Sequence, residues 1–223
     1  MNAQLIRERR LVFHAAEIPG GNGCARQRNL QVDEITGKAL TVVQFDTQWK
    51  RPIGFNHRDF EWLILEGTVR LGDDELGAMD YIFMPGGARL PEMAVEAGSR
   101  AVVRRRNSWF FEESDWQQPW ANEPLKVLPY SDVTWEGVSN LAILRESSGD
   151  RTLLMKSDSS QKQEWPADAE AAILLDGRAH VSNEKFPAPI AIIGDLSDEP
   201  VPAVSGEVGP VWLIFTSTNA DPS

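Results

Sequence analysis

The chain has 223 residues, and its 33 acidic and 22 basic side chains give a formal net charge of -11. This charge argues against nonspecific nucleic-acid binding, which requires a basic face, and the single cysteine, Cys24, excludes an internal disulfide or a thiolate cluster. The stretch from Met1 to Arg10 is charged, and no apolar run approaches the length of a membrane span, so we expect a cytoplasmic protein without membrane contact.

Short runs rich in Val, Ile, Leu and aromatic residues predict β-strands along almost the whole chain. Clusters of Gly, Pro, Asp and Ser separate these runs, and no segment keeps helical spacing over three turns. Many short strands at regular spacing predict a sandwich or a barrel. The predicted strands are Ala39 to Phe45, Glu61 to Leu71, Asp80 to Met84, Arg100 to Phe111, Leu141 to Leu144, Thr152 to Lys156, Ala171 to Leu175, Ile190 to Ile193 and Val211 to Ser217.

The sequence also repeats itself at a constant offset of 110 or 111 residues. The landmarks are Asn29-Leu30 with Asn140-Leu141, Thr41 with Thr152, Leu65-Glu66-Gly67 with Leu175-Asp176-Gly177, and Leu90-Pro91 with Val201-Pro202. A shared offset at separate landmarks indicates two copies of one unit. We therefore predict two domains, residues 1–115 and 116–223, with a linker from Glu112 to Pro129 whose Trp116 and Trp120 pack against a barrel.

Two stretches of the first copy resemble the motifs of the cupin superfamily. They are Trp62 to Gly67, followed by a glycine-rich turn, and Met79 to Gly87. Two such units in one chain resemble the bicupin proteins related to the cupin domain of the anti-sigma factor ChrR. The resemblance implies an all-β chain of two tandem cupin-type double-stranded β-helix (jelly-roll) barrels, and frequent assembly into a homodimer.

Cupin chemistry, as the resemblance implies it, depends on a divalent metal held by three histidines and one glutamate. Counted from Gly67 and Pro85, the four ligand positions fall on or near Gly54, Asn56, Phe60 and Leu90, and none of these is a typical ligand. A register change of one residue would make His57 and Glu61 ligands, with Asn56 or Asp59 as a third. It would also reverse which side chains face the barrel interior.

The second copy departs from the metal pattern as well. Glu170 has the correct spacing before Gly177, but Pro166 and Ala167 lie where histidines are expected, and Val201 corresponds to Leu90. We therefore expect no metal cofactor in either barrel. The alternative is a divalent ion bound at a non-standard site around His57 and Glu61.

One strand ends in Arg104-Arg105-Arg106, and strand alternation predicts that Arg105 faces away from its two neighbours. The triplet is either an anion clamp at the first barrel or a solvated face that balances acids such as Glu112 and Glu113. Trp62, Phe60 and Phe83 either line an apolar cavity or form ordinary core. The candidate ligand-binding residues are Asn56, His57, Phe60, Glu61, Trp62, Leu90 and Arg105.

Three functions are compatible with these patterns. The first is a metal-free, degenerate bicupin that binds a small organic ligand or a regulatory protein without catalysis, as the ChrR resemblance implies. The second is a metal-dependent dioxygenase or isomerase with a non-standard site around His57 and Glu61. The third is a structural, oligomerising protein, since exposed strand edges need covering.

Overall fold

The computed structural model describes residues 4–7, 11–107, 110–136, 141–147, 150–156, 164–166, 168–175, 178–181, 184–188, 190–193, 196, 202–205 and 211–217. These residues form antiparallel strands and one short 3-10 helix, Tyr130–Asp132, so the predicted all-β class is confirmed. The strands are β1 Gln4–Arg7, β2 His14–Ala16, β3 Ala25–Val32, β4 Ala39–Phe45, β5 Trp49–Arg51, β6 Gly54–Asn56, β7 Phe60–Glu66, β8 Val69–Leu71, β9 Asp74–Leu76, β10 Tyr81–Met84, β11 Met93–Val95, β12 Arg100–Arg105, β13 Phe111–Glu113, β14 Lys126–Leu128, β15 Leu141–Ser147, β16 Asp150–Lys156, β17 Ala169–Leu174, β18 Arg178–Val181, β19 Glu184–Pro187, β20 Ile190–Ile193, β21 Ala203–Ser205 and β22 Val211–Ser217.

The first barrel is built from a seven-stranded sheet of order β14-β10-β7-β12-β4-β3-β2 and a four-stranded sheet of order β5-β11-β8-β9. A two-stranded pair, β13 with β6, adds to it. The second barrel has a six-stranded sheet of order β1-β20-β17-β22-β16-β15 and a three-stranded sheet of order β19-β18-β21. Corresponding strands occupy the same places in both larger sheets, which confirms two tandem cupin-type barrels.

The first strand of each repeat pairs with the other barrel. β1, at the start of the chain, pairs with β20, and β14, which precedes the second repeat, pairs with β10. The chain accordingly divides into a unit of Leu11–Asp132 and a unit of Met1–Arg10 with Val133–Ser223. The predicted division after residue 115 differs from this because the predicted linker contains β13 and β14, whose backbones are bonded into the first barrel.

Strand prediction was most accurate where an apolar run is continuous. β4, β20 and β22 have the predicted bounds. The run from Glu61 to Leu71 is instead two strands, because Gly67 turns the chain with a φ of 83° and a Cβ there would collide with Ser99. The run from Arg100 to Phe111 is also two strands, β12 and β13, and the three-residue strands β5, β6, β9 and β11 were missed.

The interior of the first barrel is one hydrophobic core. We call the side of the seven-stranded sheet that faces it the inner face, and the other side the outer face. Phe60, Trp62 and Ile64 alternate along β7 and belong to this core, together with Leu90 and Met84. Leu63, between them, is equally buried but lies on the outer face by alternation. Both faces of this sheet are therefore covered.

Candidate functional site

The positions that hold the metal in the cupin pattern are filled by backbone and core in the first barrel. Gly54 and Leu90 exchange two backbone hydrogen bonds, Gly54 N to Leu90 O at 3.1 Å and Leu90 N to Gly54 O at 2.7 Å. The Phe60 and Leu90 side chains are fully buried in the core. Asn56 is also fully buried, and its carbonyl accepts a hydrogen bond from Gly87 N at 2.8 Å.

These residues do not fit a divalent metal. A site for such an ion needs at least three nitrogen, oxygen or sulfur ligands, and of the four positions only Asn56 supplies a side chain with a donor atom. Among the described residues no three His, Cys, Asp or Glu side chains are grouped as a metal site requires. The interior of the first barrel therefore keeps the cupin scaffold with a different chemistry.

Glu61 lies on the outer face, in a buried network of charges. Its Oε1 accepts a hydrogen bond from Arg104 Nη1 at 3.2 Å, and its Oε2 accepts one from the Tyr81 hydroxyl at 2.9 Å. Glu61 and Arg104 are each only 3% exposed. Because Phe60 and Trp62 face the core, β7 has the unshifted register, and the one-residue change that would turn Glu61 inward does not occur.

His57 lies at the rim of the first barrel, within an aromatic cluster. Its ring stacks on Phe55 at 5.1 Å between centroids and meets Phe110 edge-on at 4.7 Å. Its Nε2 is 3.2 Å from a carboxylate oxygen of Glu112, and both side chains are substantially exposed. The described contacts of the imidazole are with Phe55, Phe110 and Glu112 and not with Glu61. The structure therefore does not bring His57 and Glu61, the two proposed metal ligands, into one site.

The segment after β13 folds back onto the loop of the second cupin motif. Gly87 has a φ of 76°, and the Trp120 ring lies so close that a side chain at Gly87 would collide with it. Gln118 N donates to Gly87 O at 2.9 Å. The prediction that both linker tryptophans pack is correct for Trp120, whose ring is 6.0 Å from that of Phe55, whereas Trp116 is 78% exposed. Asp59 caps the same loop, because its Oδ1 accepts from Gly86 N.

The arginine triplet alternates as predicted. Arg104 faces outward to Glu61, so its interpretation as part of a solvated surface is wrong. Arg105 is in register with Phe60, which faces the core, and is half-buried on the inner face. Its Nε is buried without a hydrogen-bond partner, and burial lowers the pKa of its guanidinium. Trp62, two residues from Phe60, is ordinary core.

A second inward-facing cation, Arg51, was missed by the sequence analysis. Arg51 ends β5, and its burial alternates with exposed Lys50, so its side chain enters the barrel. Nη2 is 3.8 Å from Met84 Sδ, and the guanidinium lies 4.6 Å from the centre of the Phe111 ring. Burial lowers the pKa of Arg51 to about 10, and its Nε has no hydrogen-bond partner. A buried arginine in a three-residue strand leaves no periodic signal in the sequence.

The second barrel is described at fewer of the relevant positions. Glu170, which has the spacing of the cupin glutamate, is half-buried at a register shift between β17 and β22. Pro166 precedes this strand and is half-buried. Val201 and Ala167, the other positions of the predicted second pocket, lie outside the described residues, as do Asp176 and Gly177.

Solved structures support the fold at low sequence identity. A candidate dioxygenase from Nostoc punctiforme matches with a TM-score of 0.79 and 15% identity, over 96% of this chain and 82% of that one. The protein YlbA from E. coli matches with a TM-score of 0.65 and 16% identity, over 100% and 93%. A variant of oxalate decarboxylase from B. subtilis matches with a TM-score of 0.55 and 13% identity, over 96% and 76%. At this level of identity the likenesses concern the fold alone, and they agree with two tandem cupin-type barrels.

No curated protein matches the sequence. Within the described part of the chain, no helix has the length and apolar character needed to cross a membrane. One family model matches most of the sequence, from residue 4 to residue 186. The chain therefore belongs to the family described as Domain of unknown function (DUF4437).

Proposed function

We propose that this protein is a metal-free cupin whose first barrel binds a small organic ligand without catalysing a metal-dependent reaction. The observation that carries the proposal is the replacement of the metal-binding positions by Gly54, Asn56, Phe60 and Leu90, of which Phe60 and Leu90 are fully buried in apolar core. Without histidine or carboxylate at these positions, the barrel lacks the ligands that would bind a metal ion and leave one of its coordination positions free for substrate.

The neighbours' reactions are properties of those proteins and do not by themselves assign an activity to this chain. The candidate dioxygenase and the oxalate decarboxylase share only 15% and 13% identity with it, a level at which the likeness concerns the fold. A fold can host many activities, so function follows from the residues at the site. The metal-dependent alternative required His57 and Glu61 together, and these residues are engaged with Glu112 and with Arg104 and Tyr81, respectively.

The proposal extends to a regulatory role, in which ligand binding changes how the chain associates with a protein partner or with a second copy of itself. The resemblance to ChrR-related bicupins motivates this part. The exposed aromatic rings of Phe110 and Trp120 beside His57 are chemically suited to such a contact. The oligomeric state measured with and without a bound ligand would test it, and an unchanged state would remove the regulatory part.

Metal content tests the core of the proposal. The chain is purified without chelator from metal-replete cells, and iron, manganese, nickel and zinc are quantified by mass spectrometry. We expect less than about 0.1 ion per chain, because no described set of ligands can retain one. In parallel, a thermal-shift screen of small metabolites should find a stabilising molecule, and its effect should persist in EDTA.

Two results would contradict the proposal. One is near-stoichiometric metal, and the other is a ligand effect that disappears with chelator. The His57→Ala variant is the matched control for the rejected site. Its metal content should equal that of the wild type.

A further inference from the structure

Two arginine side chains, Arg51 and Arg105, point into the first barrel near Phe60. Arg105 on β12 and Met84 on β10 are both in register with Phe60 on β7. Arg51 reaches this level from the opposite sheet, since its Nη2 contacts Met84 Sδ. The Cα atoms of Arg105 and Met84 are two strand spacings apart, about 10 Å, and an arginine side chain spans much of that distance.

Neither cation is balanced by an acidic side chain in the described residues. Among the described residues no ion pair involves Arg51 or Arg105, whereas Arg26, Arg70, Arg100 and Arg104 each pair with a carboxylate. Both Nε atoms are buried without a hydrogen-bond acceptor. A buried guanidinium is costly unless its charge and its donors are satisfied, so Arg51, and to a lesser degree the half-buried Arg105, favour an anion that the described residues do not supply.

The two guanidiniums stay charged at neutral pH. Burial lowers the pKa of Arg51 to about 10 and lowers that of Arg105 from its ordinary value, but a group with a pKa of about 10 is still protonated at pH 7. The barrel interior therefore has a positive charge in the region where the cupin pattern places a metal. An anionic ligand is favoured there over a neutral one.

The surroundings define the class of anion. A planar guanidinium fork binds a carboxylate through two parallel hydrogen bonds, and two such forks match a dianion in charge. Around them lie Phe60, Met84 and the Phe111 ring, which are suited to a short hydrocarbon chain. We propose that Arg51 and Arg105 form the binding site of a small dicarboxylate inside the first barrel, which names the ligand class of the metal-free binding function proposed above.

A cavity of about 190 Å³ is lined by Arg51 as well as by Lys50, Ala94 and Arg70. Lys50, Ala94 and Arg70 are in register across β5, β11 and β8, and alternation puts Lys50 and Arg70 on the side of that sheet opposite to the inward Arg51 side chain. Arg70 is already paired with Glu75 at 3.1 Å. The dicarboxylate site is therefore assigned to the barrel interior.

Calorimetric titration with succinate at constant ionic strength tests the assignment. Butyrate, succinamide and inorganic phosphate serve as the monoanionic, uncharged and inorganic comparators. We expect succinate to bind, butyrate to bind at least about tenfold more weakly, and succinamide to give no heat, because the pairing requires both charges. Arg105→Gln and Arg51→Met should each weaken succinate binding at least about tenfold.

Arg26→Gln is the matched control, because Arg26 is an exposed arginine paired with Asp46, and it should bind succinate as the wild type does. Arg51→Lys keeps the charge without the fork and replaces Arg51→Met if that variant does not fold. Equal binding of succinate and succinamide, tighter binding of phosphate than succinate, or full affinity in Arg105→Gln would overturn the assignment. If no succinate binds while an uncharged molecule stabilises the metal-free chain, only the ligand class fails. Stoichiometric metal would instead refute the metal-free function itself.

Discussion

Arg104 and Arg105 are neighbours on one strand, yet they show opposite ways of burying a positive charge. Arg104 faces outward, 3% exposed, and donates to Glu61, which also accepts from Tyr81. Arg105 faces inward at the level where Arg51 enters the barrel, and neither of these two has a carboxylate within the described residues. The charges of the first group are paired within the chain, whereas the second group is the proposed site of an external anion.

The difference distinguishes a buried charge that stabilises the fold, as in the Arg104–Glu61 pair, from buried charges that we propose bind a ligand, those of Arg51 and Arg105. A buried ion pair that is fully hydrogen-bonded can be kept for stability and register, whereas a buried cation without an anion lowers stability unless a ligand compensates it. Arg104 and Arg105 lie on the same strand, β12, so the contrast between these two residues does not come from a difference in strand. It arises from which face contains an acid.

The largest expected effect comes from breaking the complete network. Glu61→Gln removes the carboxylate that pairs with the buried guanidinium of Arg104, which should lower the free energy of unfolding by about 3–5 kcal/mol. Urea unfolding followed by tryptophan fluorescence measures it. Glu66→Gln is the matched control, since Glu66 pairs with Arg100 from an exposed position, and it should cost less than about 0.5 kcal/mol. Equal losses in both variants would contradict the structural role of Glu61.

The second effect concerns the third member of the same network. Tyr81→Phe removes the hydroxyl that donates to Glu61 Oε2 at 2.9 Å but keeps the ring, which is 1% exposed. Loss of a buried hydrogen bond to a charged group should lower the free energy of unfolding by about 2 kcal/mol. Tyr130→Phe, which alters the chain's other tyrosine, is the comparison and should cost less. A loss below about 0.5 kcal/mol in Tyr81→Phe would show that the network does not depend on this donor.

The third effect should have the opposite sign. Arg51→Met replaces an unpaired buried cation by an apolar side chain of similar length beside Met84 and Phe111, and without ligand it should raise the free energy of unfolding by about 1 kcal/mol. Arg104→Met, made in the same way, should destabilise the protein because it removes the cation that pairs with the buried carboxylate of Glu61. Urea unfolding of both variants measures the difference in sign. Destabilisation of similar size by both would remove the distinction between the two groups.

The sequence predicted the inward position of Phe60 and the opposite orientations of Arg104 and Arg105, because both follow from spacing and alternation. Counting back from Gly67 places Phe60 at the position of the cupin glutamate, and alternation along β12 separates Arg104 from Arg105. Neighbouring residues on such strands face opposite sides, so one anchored position determines the rest. The cupin scaffold was therefore predictable from the repeat and its glycines.

The partners of these residues could not be predicted in the same way. That Glu61 meets Arg104 and Tyr81 depends on the pairing of β7 with β12 and β10, which are distant in sequence. Arg51 lies in a strand of three residues followed by a proline, too short for alternation to be recognised. The domain boundary was misplaced for a related reason, because β14 joins β10 through backbone bonds that residue type does not encode.

The smallest effect is expected at His57, whose charge pairing is exposed. His57→Ala removes a contact with Glu112 in which the two side chains are 40% and 55% exposed, together with ring contacts to Phe55 and Phe110. Because solvent screens such a pair, the free energy of unfolding should fall by less than about 1 kcal/mol, and Glu112→Gln should change it by less than about 0.5 kcal/mol. Succinate affinity should be unchanged in His57→Ala, since its imidazole lies at the rim and the proposed ligand is held by Arg51 and Arg105. A loss of succinate binding in this variant would mean that the rim and the barrel interior form one site. The contrast between the paired Arg104 and the two proposed ligand-binding arginines would then not be enough to locate the ligand.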